Sequence, residues 1–108
     1  MFTYNTLIVT PEGPITIGKI YEMQQNPVHA TSEHDAAPLP TVEYGGYVVD
    51  LKHVVTHGGL IECTRDQAFH EDHEVSEQLI EAIGGKPVFG IKGGCEVTFA
   101  GGEKAVAL

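Results

Sequence analysis

Basic residues are scarce in this chain. Six Lys and Arg face 15 Asp and Glu in 108 residues, a formal net charge of −9. Affinity for nucleic acid comes from cations that displace counterions from phosphates, and here Lys19, Lys52, Arg65, Lys86, Lys92 and Lys104 stand singly. No basic patch is present, so nucleic acid is excluded as a direct ligand, and an acidic surface is repelled from anionic lipid. Long apolar runs are also missing. Nothing approaches the roughly 20 residues that span a bilayer, and the opening residues show neither the charged region nor the apolar stretch of a secretory signal. Tryptophan is absent, and the two cysteines, Cys63 and Cys95, make no disulfide framework. A cytoplasmic setting is the expectation, with both thiols serving as small buried hydrophobes.

What is present suits one folded domain over 1–108. Hydrophobic residues make up 42% and charged ones 19%, enough apolar material for a modest core and too much for disorder by composition. Thirteen glycines and six prolines imply many turns, and so short strands rather than long helices.

Along the chain, Thr6–Thr10 is β-branched and apolar, and Pro11-Glu12-Gly13-Pro14 turns it back into a short strand over Ile15–Ile17. Residues 18–25 hold at most two helical turns before Asn26-Pro27, and 29–41 read as a surface loop. Strands are expected at 42–44, before a Gly45-Gly46 turn, and at 47–55; Gly58-Gly59 then makes a hairpin into 60–64. From Glu71 to Ile83 the apolar residues Val75, Leu79, Ile80 and Ile83 fall on one helical stripe, with acids at its N-terminal end. The spacing predicts a helix near 71–83, stopped by Gly84-Gly85. Glycine-turned strands follow at 87–91, 96–99 and 104–108. The fold class is therefore mainly β with one short helix.

The residue types that carry chemistry do not form a familiar set. His70 and His73 sit among acids, and His53 and His57 straddle a strand and a turn. Neither pair supplies the three or four converging ligands of a zinc site, so no metal is assigned. Cys63 and Cys95 lack a Cys-x-x-Cys or a linked histidine. The Gly93-Gly94 and Gly101-Gly102 pairs lack the spacing of a phosphate loop, so no cofactor is assigned either.

A resemblance emerges at two places. Residues 1–20, MFTYNTLIVTPEGPITIGKI, are similar to the first block of the Hint superfamily, which comprises inteins, Hedgehog autoprocessing domains and bacterial intein-like domains. Residues 59–69, GLIECTRDQAF, resemble its second block at the right distance downstream. The resemblance implies a horseshoe of short strands. It also implies an active cleft at Met1, Thr64, Asp66 and Gln67. In active members the first residue is Cys or Ser and attacks the preceding carbonyl, while a second-block Thr and His polarise that amide and protonate its leaving nitrogen.

Two of those positions are filled by the wrong chemistry. Met1 stands at the nucleophile's place, and a thioether has no proton to lose. Gln67 stands at the histidine's place, and an amide does not shuttle protons near neutral pH. No catalytic residue is therefore expected to be active; these two side chains weigh against an enzyme, and one built on Thr64, Asp66 and the nearby histidines stays open. The sequence implies a degenerate Hint module kept for binding or structure, with a basic or edge-pairing protein partner or self-association. Two alternatives stay open. One is the N-terminal half of a split intein-like system that needs a C-terminal partner, since the family's last blocks are missing. The other is a small β-rich assembly protein of a phage or mobile element.

Overall fold

In the computed structural model, which describes residues 1–25, 39–70, 76–94 and 96–106, strands dominate. They are β1 (Phe2–Thr3), β2 (Leu7–Thr10) and β3 (Gly13–Thr16), then a helix α1 (Ile17–Gln25). The long strand β4 (Val42–Thr56), β5 (Gly59–Thr64) and the long strand β6 (Ser76–Ile91) follow. A 3-10 turn over Lys92–Gly94 leads to β7 (Glu96–Thr98) and β8 (Lys104–Val106). The protein is mainly β, as its glycine-punctuated sequence implies.

The main sheet is antiparallel and closes on itself in the order β1-β5-β4-β6. Closure depends on only two residues: Phe2 pairs with Cys63 on one side and Phe89 on the other, and Thr3 pairs with Val88. The hairpins β2–β3 and β7–β8 lie outside this barrel, joined by a bridge between Ile8 and Phe99. Phe2 is fully buried and meets Phe99 edge-on at 5.1 Å. Burial of such a ring contributes about 2–3 kcal/mol, which holds the start of the chain in the centre of the molecule. Ile17 and Ile20 bring α1 onto the same core, and the Thr16 hydroxyl caps the helix by accepting from the Lys19 N–H at 3.1 Å.

The hairpin at Gly58-Gly59 forms as expected, with Thr56 opposite Gly59. Two expectations are corrected. Gly45-Gly46 does not end a strand; it makes a bulge inside β4, where Gly46 takes a φ of 91°. The helix expected near 71–83 is absent from its described part: Ser76 onward is strand β6, paired with β4 from Ser76↔Val55 to Ile91↔Val42. Residues 71–75 lie outside the described residues. The physical reason is that a long strand partner overrides a weak helical period. The half-buried and buried positions, Ile80 and Ala82, are two apart, while Ile83 of the apparent helical stripe is fully exposed. Gly84 and Gly85 stop nothing. With φ values of 76° and 79° they let β6 step from Lys86 to Glu81 while β4 steps only from Val48 to Asp50.

Candidate functional site

The end of β5 and the turn after it bring three of the named residues to the fourth. The Thr64 N–H donates to the Met1 carbonyl at 2.9 Å, a backbone contact that aligns the two segments. The Met1 nitrogen in turn donates to Thr64 Oγ1 at 2.9 Å and to Gln67 Oε1 at 2.8 Å. Asp66 joins through Thr64, whose hydroxyl donates to Asp66 Oδ1 at 2.7 Å. Met1, Thr64, Asp66 and Gln67 thus form one hydrogen-bonded group around the nitrogen of residue 1.

The direction of each bond limits what the group can do. The Thr64 proton points to Asp66, with the Met1 carbonyl at 3.4 Å a poorer acceptor, so its oxygen faces Met1 as an acceptor. The Gln67 side-chain amide donates to the Ala68 carbonyl at 3.0 Å, which turns Oε1 toward Met1. Both partners therefore receive hydrogen from the nitrogen, and neither gives it one. The Thr64 hydroxyl beside Asp66 holds that carboxyl below its ordinary range. Burial lowers the pKa of the Met1 amine, and the Asp66 charge opposes that shift.

The Met1 side chain has another task. It packs against the small cluster of Leu51, Ala82 and Val88. A Cβ at Gly45 would strike its sulfur, so the β4 bulge leaves the space that the thioether fills. Cys63, next to Thr64 in β5, is fully buried, and burial pushes its thiol up to about 11. A thiol so desolvated is a packing group.

Lys52 was not legible as part of this group, yet it anchors the loop. Its ammonium, on a residue 4% exposed, donates to the Gln67 carbonyl at 2.8 Å and to Glu77 Oε1 at 3.1 Å, and sits 5.8 Å from the Phe69 ring centroid. Alternation gives no signal for it, since Leu51 on the other face of β4 is buried as fully as Val54 on its own. A lone lysine at an inward position of an apolar strand needs a buried acceptor.

Among the described residues the histidines do not converge. His53 binds Glu62 Oε2 at 2.8 Å, His70 lies 2.7 Å from Glu96, and His57 is exposed in the hairpin turn. His73 lies outside the described residues. Among the described residues no three His, Cys, Asp or Glu are placed to hold a metal ion, and no helix is long and apolar enough to cross a membrane.

A separate groove of about 400 Å3 opens where the chain leaves β1, between Thr3–Thr6, Leu60, Glu62, Lys86 and Pro87. Glu62 organises its wall. Lys86 Nζ reaches both carboxylate oxygens at 3.0 and 3.1 Å, and His53 takes the other side. Burial raises the Glu62 pKa, but the Lys86 and His53 hydrogen bonds outweigh it and hold the carboxyl below its usual value of 4.5. A carboxyl depressed in the folded state stabilises above its unfolded pKa and loses that contribution as pH falls through its folded one. Glu62→Gln is therefore expected to melt several degrees below the parent at pH 7, with the gap narrowing steadily below pH 4.5. Thermal unfolding followed across pH checks this; a gap of constant size contradicts it.

Comparison of the chain with protein-family models, with curated proteins and with solved structures finds no match in any of the three.

Proposed function

We propose that this chain is a degenerate Hint-like domain, retained as a binding or structural module after its protein-splicing chemistry was lost. The observation that carries the reading is the convergence of Thr64 and Gln67 on the nitrogen of residue 1, at 2.9 and 2.8 Å. That nitrogen is the atom the resemblance assigns to the second-block pair. The two blocks lie far apart in sequence, and their meeting at this atom supports reading them together. The β-rich architecture is compatible with it.

The same contacts support the loss of chemistry. Acyl shift needs a side chain at residue 1 that attacks the preceding carbonyl, and an acid that protonates the departing nitrogen. Met1 offers a thioether packed into an apolar cluster. Gln67 offers a carbonyl oxygen that accepts hydrogen from that nitrogen. What remains is a scaffold that holds the first residue in place. A basic or edge-pairing protein is the partner that fits the net charge of −9, and a cytoplasmic setting fits the free buried Cys63.

Restoring the two side chains tests the proposal. In a protein carrying Met1→Cys and Gln67→His behind an appended N-terminal segment, the new thiol attacks the carbonyl of the preceding residue. The amide C–N bond breaks, the imidazole protonates the nitrogen, and added thiol exchanges with the thioester. Mass spectrometry is expected to show thiol-dependent release of the segment from this protein and none from the parent fused in the same way. Adding Thr64→Val is expected to slow release by roughly tenfold, the scale of one lost hydrogen bond, because the oxygen that accepts from the residue-1 nitrogen is gone. No release from a folded double variant would overturn the kinship.

A further inference from the structure

All four tyrosines of the chain meet on one surface. Tyr4 lies just after β1, Tyr21 on α1, and Tyr44 and Tyr47 on β4, so only the fold brings them together. Phe89 is the hub, with its ring 5.8 Å from Tyr4, 5.3 Å from Tyr21 and 5.6 Å from Tyr44. Tyr44 continues the group to Tyr21 at 6.2 Å and to Tyr47 at 6.5 Å, the last pair edge to face.

Strand alternation would send residues 44 and 47 to opposite faces. The bulge at Gly45 adds the one residue that returns both to the same face. Val49 continues that face, since Gly85 lies against both Tyr47 Cβ and Val49 Cγ1. An aromatic cluster that served only the core would be covered. Here Tyr47 is 70% exposed and Tyr44 46%.

We propose that the face formed by Tyr21, Tyr44 and Tyr47 is a docking surface for a cationic segment of a partner protein, whose Lys or Arg side chains lie against the rings. This inference does not rest on the Hint reading. Ring faces attract cations through their quadrupole, and tyrosine supplies large contact area at low entropic cost. Charge selects the occupant. The chain carries −9, so a basic segment is drawn in at long range while a second copy is repelled. Close by, Glu22 on α1 hydrogen-bonds the Tyr4 hydroxyl. Among the described residues Glu22 has no ion-pair partner, whereas the cations Arg65 and Lys86 are engaged by Asp50 and Glu62.

The test uses the peptide (Gly-Arg)4 at low salt, with (Gly-Glu)4 as control, followed by NMR of the tyrosine rings. The expected result is saturable shifts at Tyr21, Tyr44 and Tyr47 with the arginine peptide alone. Tyr44→Leu with Tyr47→Leu is expected to weaken binding about tenfold, while the corresponding Phe pair stays within about twofold of the parent. Tyr47→Leu alone, at the most exposed ring, is expected to weaken binding about threefold without disturbing the fold. Unchanged binding in the Leu pair, equal losses in the Leu and Phe pairs, or shifts confined to residues away from these rings would overturn the proposal. So would a dimer in light scattering that Tyr47→Glu dissociates, because the face would then belong to a second copy.

Discussion

Lys52→Met is expected to lower stability by about 2 kcal/mol, a fall in Tm of roughly 10 °C for a chain of this size. Replacing a buried charge by an apolar side chain of similar length is often neutral. The outcome depends on what the charge leaves behind. Glu77 is 46% exposed along its side chain and returns to water at little cost. The Gln67 carbonyl is different: it belongs to a residue 2% exposed and accepts from Lys52 at 2.8 Å. Without the ammonium the Gln67 carbonyl loses a charge-assisted hydrogen bond, the kind worth about 1.5–3 kcal/mol. Residues 67–69 are therefore expected to loosen, and Gln67 to lose its grip on Met1. Thermal unfolding, with amide hydrogen exchange read at 67–69, checks both halves. An unchanged Tm with unchanged protection would show that Lys52 does not anchor the loop.

Gly58→Ala is expected to cost more, about 3 kcal/mol. The tip of the β4–β5 hairpin packs backbone to backbone on the turn after Phe99. A Cβ on Gly58 would collide with the Gly101 Cα, and one on Gly101 would collide with Gly58. The Gly58 N–H also donates to the carboxylate of Glu103, a residue only 3% exposed, at 3.2 Å. Flexible side chains yield to an added methyl, but two main chains in contact do not. Gly13→Ala is the internal comparison. Its φ of 105° strains any side chain, but open space surrounds it, so about 1 kcal/mol is expected from conformation alone. Denaturant unfolding of the two variants checks the order; an equal or smaller loss for Gly58→Ala would mean the hairpin tip is not packed as described.

How much of this was legible in the sequence varies with the range of the interaction responsible. The Gly58-Gly59 hairpin and the turn after Thr10 are set by neighbours in sequence, and turn chemistry exposes them. The meeting of Thr64 and Gln67 with Met1 joins residues more than sixty positions apart. No periodicity links residue 1 to residue 67. Strand β6 was misread because Leu79, Ile80 and Ile83 mimic a helical stripe, and the partner that makes the segment extended, β4, lies more than twenty residues away. Gly45 looked like a turn because a bulge and a turn draw on the same residue. The tyrosine surface was invisible for the same reason as β6, since its four members come from three elements. Lys52 is hidden in the same way: Leu51 and Val54 are fully buried on opposite faces of β4, so alternation does not say which face turns inward, and the acceptor of its ammonium comes only from the fold.

Thr64 and Gln67 close on the nitrogen of residue 1 and hold it there. Solution NMR of the unmodified chain tests it most directly, through nuclear Overhauser contacts from the Gln67 side chain and the exchange of its amide protons. Cross-peaks from Gln67 to Met1 and Thr64 are expected, with side-chain amide exchange slowed by the bond to the Ala68 carbonyl. A Gln67 amide at its random-coil shift, in fast exchange and without a contact to Met1, would contradict it.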